Sequence, residues 1–226
     1  MRWLFVFLSL MLASVATQAA DSEVLAEQAH EVVREKTEEL MTVISRNRYL
    51  YGKDQDKFFN AMDQVLGPVV DFKRLTRRIM GKYYRASSVK QRKRFAQAFK
   101  KSLLNSYAKG LIEFDNYEVK LLSARTEDEN SLRNTLVDLE VITPSGKEFP
   151  ITQSMYFQHK ERRWMMQNVI VGGINVGKLF RTQFYEMVQQ NEGNIDGAID
   201  AWIEAFKQQG AKLRNNKASN RKKDTE

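Results

Sequence analysis

Cysteine is absent from this chain of 226 residues. That excludes disulfides, thiol nucleophiles, thiolate metal sites and a lipid-modified cysteine following a leader. Histidine is nearly absent, with only His30 and His159. His30 lies on a charged, helix-patterned segment and His159 in a predicted turn, so both read as surface histidines without the company of a metal site or a catalytic base. Asp and Glu are plentiful, but no carboxylate pair has a context that suggests burial and a shifted pKa, and no nucleophile elbow occurs. Enzymatic function starts from a weak position. Long apolar runs are also missing: Trp3 to Val15 is the longest, well short of the roughly 20 residues of a spanning helix.

Acidic residues are missing from one place in particular. Between Phe72 and Ile112 there is none, against thirteen Lys and Arg. The formal charge of +8 falls to +7 once Arg2 is removed with a leader; this stretch accounts for +13 and Lys207 to Glu226 for +5, which leaves −11 on the remainder. The domain is polarised rather than simply basic. Such a field suits anionic headgroups, an acidic protein surface or nucleic acid, and sign alone does not choose among them.

The start of the chain, Met1-Arg2 followed by the apolar segment and Thr17-Gln18-Ala19, reads as a secretory signal peptide over residues 1–19. An exported, cysteine-free chain is compatible with a periplasm, and export counts against nucleic acid. Residues 20–209 suffice for one domain with its own core. Residues 210–226 are polar, basic and poor in large apolar groups, and are expected to be a disordered tail.

Apolar spacing predicts helices over Asp21–Arg48 and Gln55–Leu66, broken at Gly67-Pro68. Asp71 is placed to cap a helix ending at Met80, with Gly81 as its stop. Ser88 and Gln91 resemble a capping box opening a long basic helix. Within it Phe95, Phe99, Leu103, Tyr107 and Leu111 recur every fourth residue, along one face. Either this stripe packs on an ordinary core beneath a solvated basic face, or it lines a greasy cavity with a cationic rim. From Tyr117 the period changes to two. Val119 and Leu121, then Val137, Leu139 and Val141, then Phe149, Ile151, Met155 and Phe157, then Trp164 to Val171 predict four strands joined by short turns. Two helices follow, near Val176–Gln190 and Ile195–Gln208. The expected fold class is α+β, with helices packed on a curved four-stranded antiparallel meander. Gly172-Gly173-Ile174-Asn175-Val176-Gly177-Lys178 has the spacing of a phosphate-binding loop, but Leu179 stands where a magnesium-binding hydroxyl is required and no parallel-sheet units surround it.

Asp71-Phe72, Arg77, Gly81-Lys82-Tyr83, Arg85, Gln91-Arg92, Phe95, Phe99, Leu103-Leu104 and Tyr107-Ala108, with a second block at Trp164, Val169, Gly173, Arg181 and Phe184, make a long signature. By these residues the sequence resembles the MlaC-type periplasmic phospholipid-binding family of the Mla lipid-transport system, also labelled toluene-tolerance auxiliary proteins. The resemblance covers nearly the whole mature domain. It departs at Asn168, Gly172, Asn175 and Phe180, where the family commonly has Asp, Glu, Ser and Tyr, so no headgroup or partner role is carried to those positions.

The resemblance implies a fold enclosing an apolar cavity, and a monomeric carrier without cofactor or metal, whose cargo is glycerophospholipid. Its implied partners are an inner-membrane Mla ABC transporter complex and an outer-membrane Mla lipoprotein-porin complex, and its task is to maintain outer-membrane lipid asymmetry. On this reading Phe72, Leu75, Ile79, Met80, Phe95, Phe99, Leu103, Tyr107, Leu139, Val141, Met155, Phe157, Val169 and Val171 line the tail pocket. Arg77, Lys82, Arg85 and Arg92 are placed at its mouth or on a docking surface. Rival readings are a small-ligand binder or enzyme, for which no polar constellation is found, a lipid-free chaperone or docking module for an acidic protein, and a nucleic-acid binder.

Overall fold

The computed structural model describes residues 4–113, 117–124 and 130–208, with side chains from 24 onward except 25, 106–111 and 113. Helix α1 (Leu4–Tyr51) contains the expected Asp21–Arg48 segment and extends beyond it at both ends. The side chains of 1–19 and all of 210–226 fall outside the described residues. Helix α2 (Gln55–Leu66) begins where the Asp54 side chain accepts from the Lys57 amide at 3.1 Å. Helix α3 (Phe72–Met80) is capped by Asp71, which accepts from the Arg74 amide at 2.8 Å. A short α4 (Lys82–Ala86) leads to α5 (Val89–Glu113).

The start of α5 is a reciprocal capping box. The Ser88 amide donates to Gln91 Oε1 at 2.8 Å, and the Gln91 amide donates to Ser88 Oγ at 3.2 Å. Two first-turn donors are thereby satisfied without water.

Strands β1 (Glu118–Leu121), β2 (Thr135–Ile142), β3 (Glu148–Gln158) and β4 (Arg163–Val171) form the antiparallel meander that the period-two spacing predicts. A fifth strand, β5 (Ile174–Asn175), was not foreseen. Two residues are too few to show a period. Gly172 and Gly173, at φ 56° and 80°, make the β4–β5 hairpin turn, a left-handed geometry that glycine adopts without steric cost. The chain then enters α6 (Val176–Gln190) and, after a turn, α7 (195–208).

A β-bulge separates the two ends of the sheet. Register shifts between Ser154 and Met155, so Val169 and Val171 share the inner face with Gln153 and Ile151, whereas past the shift Met166 and Trp164 do so with Met155 and Phe157. Gln167 is the extra residue, and its buried amide donates to the Arg133 carbonyl at 2.9 Å and to Ser154 Oγ at 3.2 Å. At the bulge the edge of β4 is covered by the chain before α3. The Met166 amide donates to the Val69 carbonyl at 2.7 Å, and the Asp71 amide to the Met166 carbonyl at 3.1 Å. This pairing fixes where α3 begins.

The main core joins the sheet to α1, α3, α5, α6 and α7, with Val137, Met155, Ile79, Met80, Phe95, Phe184, Ile199 and Trp202 fully buried. Trp202 sits among Phe95, Phe99, Phe180, Phe184 and Phe206 at ring separations of 5.0 to 6.4 Å, and its indole N–H donates to Ser102 Oγ at 3.0 Å. Apolar bulk and a satisfied polar tip make such a residue a strong anchor. A second cluster, Ile44, Phe58, Phe59, Met62, Leu104 and Ile112, holds the α1–α2 hairpin against α5. One expectation is overturned here: His30 is buried at 8% exposure rather than on the surface. It lies on the helical face of Ala26, Ala29 and Val33, which burial selects in spite of the charged neighbours in sequence.

Candidate functional site: an apolar cavity between helices and sheet

The inner face of the sheet is divided in use. Towards Trp164, Met155 and Val137 the helices close on it completely; towards Phe149, Val141 and Val171 they stand off and leave a cavity of about 420 Å³. Small-molecule sites commonly span roughly 300–1,000 Å³. The sheet contributes Val141, Phe149, Ile151, Gln153, Met166, Asn168, Val169 and Val171. Helices α3 and α5 contribute Phe72, Leu75, Phe99, Leu103 and Leu104, and α1 and α2 add Leu40, Met62 and Leu66. Val70, Tyr117 and the start of α6, with Val176, Gly177 and Phe180, complete the wall. The lining is apolar apart from Gln153, Asn168 and Tyr117.

Of the pocket residues expected from sequence, Phe72, Leu75, Phe99, Leu103, Val141, Val169 and Val171 line this cavity. Ile79, Met80, Phe95, Leu139, Met155 and Phe157 do not; they belong to or pack against the closed core. The position along α3 explains the division, because Ile79 and Met80 lie about two turns beyond Phe72 and are buried in the closed core with residues of α6. On α5 both readings of the stripe hold in turn. Phe95 stacks into the aromatic core, with its centroid 4.4 Å from Phe184, whereas Phe99 and Leu103 face the cavity. The side chain of Tyr107 lies outside the described residues.

Several lining residues were missed. Met166 is hidden by the bulge, which reverses the alternation along β4; Leu40, Met62 and Leu66 belong to helices read only as packing elements. Phe180, where the resemblance implies Tyr, differs only by the missing hydroxyl, which suits an apolar wall.

Polar groups in the wall are arranged to satisfy one another. Asn168 Oδ1 accepts from the Gly177 amide at 3.2 Å, its Nδ2 donates to Asn175 Oδ1 at 3.1 Å, and Asn175 Oδ1 also accepts from the Lys178 amide at 2.9 Å. The opening turn of α6 is therefore tied to β4 with its orphan amides filled. Burial pushes the Tyr117 phenol up, and the nearby Arg48 guanidinium partly offsets this. Arg48 also donates to the Ile112 carbonyl.

None of Arg77, Lys82, Arg85 and Arg92 lines the cavity. They occupy the corner of α3, α4 and the start of α5, where Arg77 and Arg92 lie over the Tyr84 ring at 5.4 and 4.5 Å. Lys82 stands 5.1 Å from the Tyr83 ring centroid. Two other cations lie against lining rings. Lys100 lies 4.8 Å from the Phe72 centroid and pairs with Asp63, and Lys147, in the β2–β3 turn, lies 4.8 Å from the Phe149 centroid. Sequence periodicity could not find Lys147, because it precedes the strand and acquires its place only when the hairpin closes.

Among the described residues there is no group of three or more His, Asp and Glu placed to hold a metal ion, and no helix long and apolar enough to cross a membrane.

Residues 34–204 match the MlaC protein family. The chain is 34% identical over 180 residues to the toluene tolerance protein ttg2D of Pseudomonas putida, covering 79% of this chain and 81% of that one. It is 21% identical over 209 residues to the intermembrane phospholipid transport system binding protein MlaC of Haemophilus influenzae, covering 92% and 87%. The fold is similar to that of a phospholipid-binding protein from Ralstonia solanacearum solved in complex with a phospholipid, at a TM-score of 0.71 and 21% identity, over 80% of this chain and 98% of that one.

Proposed function

Because the chain belongs to the MlaC protein family, we propose that it is a periplasmic phospholipid carrier, exported by a cleaved signal peptide. It shuttles glycerophospholipid between the outer membrane, through a lipoprotein-porin complex, and an inner-membrane Mla-type ABC transporter, and so maintains outer-membrane lipid asymmetry. The observation that carries this reading is the apolar cavity of about 420 Å³, walled by aliphatic and aromatic side chains from every layer of the fold. Consistent with it, one relative is named as the binding protein of an intermembrane phospholipid transport system, and a protein of similar fold was solved in complex with a phospholipid.

The physical requirement is large. A phospholipid has on the order of 30 acyl methylenes, each costing about 0.8 kcal/mol to expose to water, so free transfer is opposed by roughly 20 kcal/mol or more. An apolar wall offsets that cost passively. The carrier needs no ATP, cofactor or catalytic group of its own, because donor, carrier and acceptor can hold the lipid at comparable free energies while a partner supplies direction. The headgroup stays at the rim, where a charge keeps its hydration. Lys147, beside the lining ring Phe149, is the cation this reading assigns to its phosphate, while Lys100, beside Phe72, is paired with Asp63.

The test is lipid uptake by a filled cavity. Val169→Trp puts an indole into the space, and should reduce phospholipid acquired from liposomes at least about tenfold while the far-UV spectrum and cooperative melting are kept. Full uptake by a folded Val169→Trp protein would remove this cavity as the cargo site. Phe99→Asp and Leu139→Asp are poorer probes, because Phe99 also packs on Trp202 and Leu139 lies in the closed core; both should destabilise the fold itself.

A further inference from the structure

The corner built by α3, α4, the start of α5 and the middle of α6 gathers tyrosine rings and cations. Arg77 and Arg92 share the Tyr84 ring, and Tyr83, next in the chain, meets Tyr185 edge-on at 5.1 Å. Lys82 lies 5.9 Å and Arg181 5.2 Å from the Tyr185 ring centroid. Tyr185 is fixed in turn, since its hydroxyl accepts from the Lys82 amide at 3.0 Å and from Arg181 at 3.2 Å. Gly81, at φ +51°, makes this possible, because a Cβ there would lie 2.0 Å from the Tyr185 oxygen.

Among the described residues, no carboxylate pairs with Arg77, Lys82, Arg85, Arg92 or Arg181. Asp71, Asp196 and Glu186 face other neighbours. Asp71 accepts from Tyr156 at 2.5 Å, Asp196 accepts from Gln91 and Arg94, and Glu186 lines a separate groove with Gln183. Arg92 instead donates to the Ser87 carbonyl at 2.7 Å. Arg77, Lys82, Arg92 and Arg181 are held in place by rings, carbonyls and a hydroxyl, which reduces the entropy lost when a ligand binds them, while Arg77 and the exposed Arg85 make no side-chain hydrogen bond among the described residues.

We propose that this corner is a docking surface for an acidic patch on a partner protein. The commitment to protein over membrane rests on position: none of these five cations lines the cavity, so the corner is separate from the cargo. A second copy of the same face would repel it, and so would the basic segment Lys207 to Glu226. The proposal rests on the carrier reading for the identity of the partner, the inner-membrane transporter that exchanges the lipid.

The experiment is co-sedimentation of the mature protein with that transporter reconstituted in phosphatidylcholine, alongside protein-free vesicles of phosphatidylcholine and of phosphatidylglycerol. Binding to the proteoliposomes should weaken by more than about tenfold in Arg77→Glu/Arg85→Glu, and should fall steeply between roughly 50 and 500 mM salt. Arg85→Glu alone should weaken it about threefold; its side chain is exposed and makes no described contact, so folding is not at risk. Bound lipid, measured on the same samples by mass spectrometry, should not change. Wild-type binding by the charge-reversed protein, binding that follows phosphatidylglycerol without the transporter, or no binding by the wild type would each overturn the proposal. An empty cavity in a protein that still docks through Arg77 and Arg85 would instead count against the carrier reading.

Discussion

Asn168 and Asn175 show how a site can differ from its family at two positions and stay satisfied. The resemblance implies Asp and Ser at these places. Here Asn168 supplies the donor to Asn175 Oδ1 and still accepts from the Gly177 amide. Asn168→Asp alone turns the donating atom into a second acceptor against Asn175 Oδ1, which cannot rotate away without abandoning the Lys178 amide. The expected loss is about 1 kcal/mol, measured by chemical denaturation, and Asn175→Ser on top of it should restore most of the loss; additive losses would show that the two residues act independently. His30 is the other telling residue. Burial holds its pKa below the ordinary value of 6.5, with the Asp138 charge opposing the shift, and Nε2 has no hydrogen-bond partner among the described residues. The folded protein thus keeps His30 neutral where the unfolded chain protonates it, so stability present above about pH 6.5 declines as pH falls below that value. His30→Gln should flatten the fall in melting temperature between about pH 7.5 and 5; an unchanged slope would assign the acid sensitivity to other groups. Neither feature was legible in the sequence, since both depend on which atoms meet across elements.

At the scale of elements the sequence was far more explicit. Gln55–Leu66 and Val176–Gln190 appear with the bounds that spacing predicted, because each is opened by a side-chain cap and closed by a break in the pattern. The capping box on α5 was legible for the same reason: Ser, two residues, then Gln is a local motif. Ser88→Ala should cost about 1 kcal/mol and lower the melting temperature by a few degrees; no change would mean that water replaces the hydroxyl. The β-bulge was not legible. One extra residue in β4 moves Met166 onto the cavity face and Gln167 off it, an irregularity that a period of two cannot show. Met166→Glu should therefore reduce lipid uptake, while Ile170→Glu, on the other face of β4, should leave it near wild type. The opposite ranking in a liposome uptake assay would place the cargo on the other side of the sheet.

For the whole molecule, the separation of apolar space from positive charge decides how the structure can work. The sequence put both in one acid-free stretch, Phe72 to Ile112, and invited the inference that the cations rim the pocket. Folding separates them in part, leaving Lys100 beside the lining ring Phe72. Phe72, Phe99 and Leu103 turn inward to the cavity, while Arg77, Lys82, Arg85 and Arg92 gather on a tyrosine-lined corner apart from it. Helical periodicity assigns residues to faces, but not the distance between helix and sheet, so it could not divide a continuous core from a cavity. The central claim is that the gap between them holds phospholipid, and native mass spectrometry of the protein purified from a periplasmic extract without detergent tests it most directly. The expected result is a protein mass increased by one phospholipid in stoichiometric amount, released on organic extraction. A protein that emerges empty and acquires nothing from liposomes would contradict it.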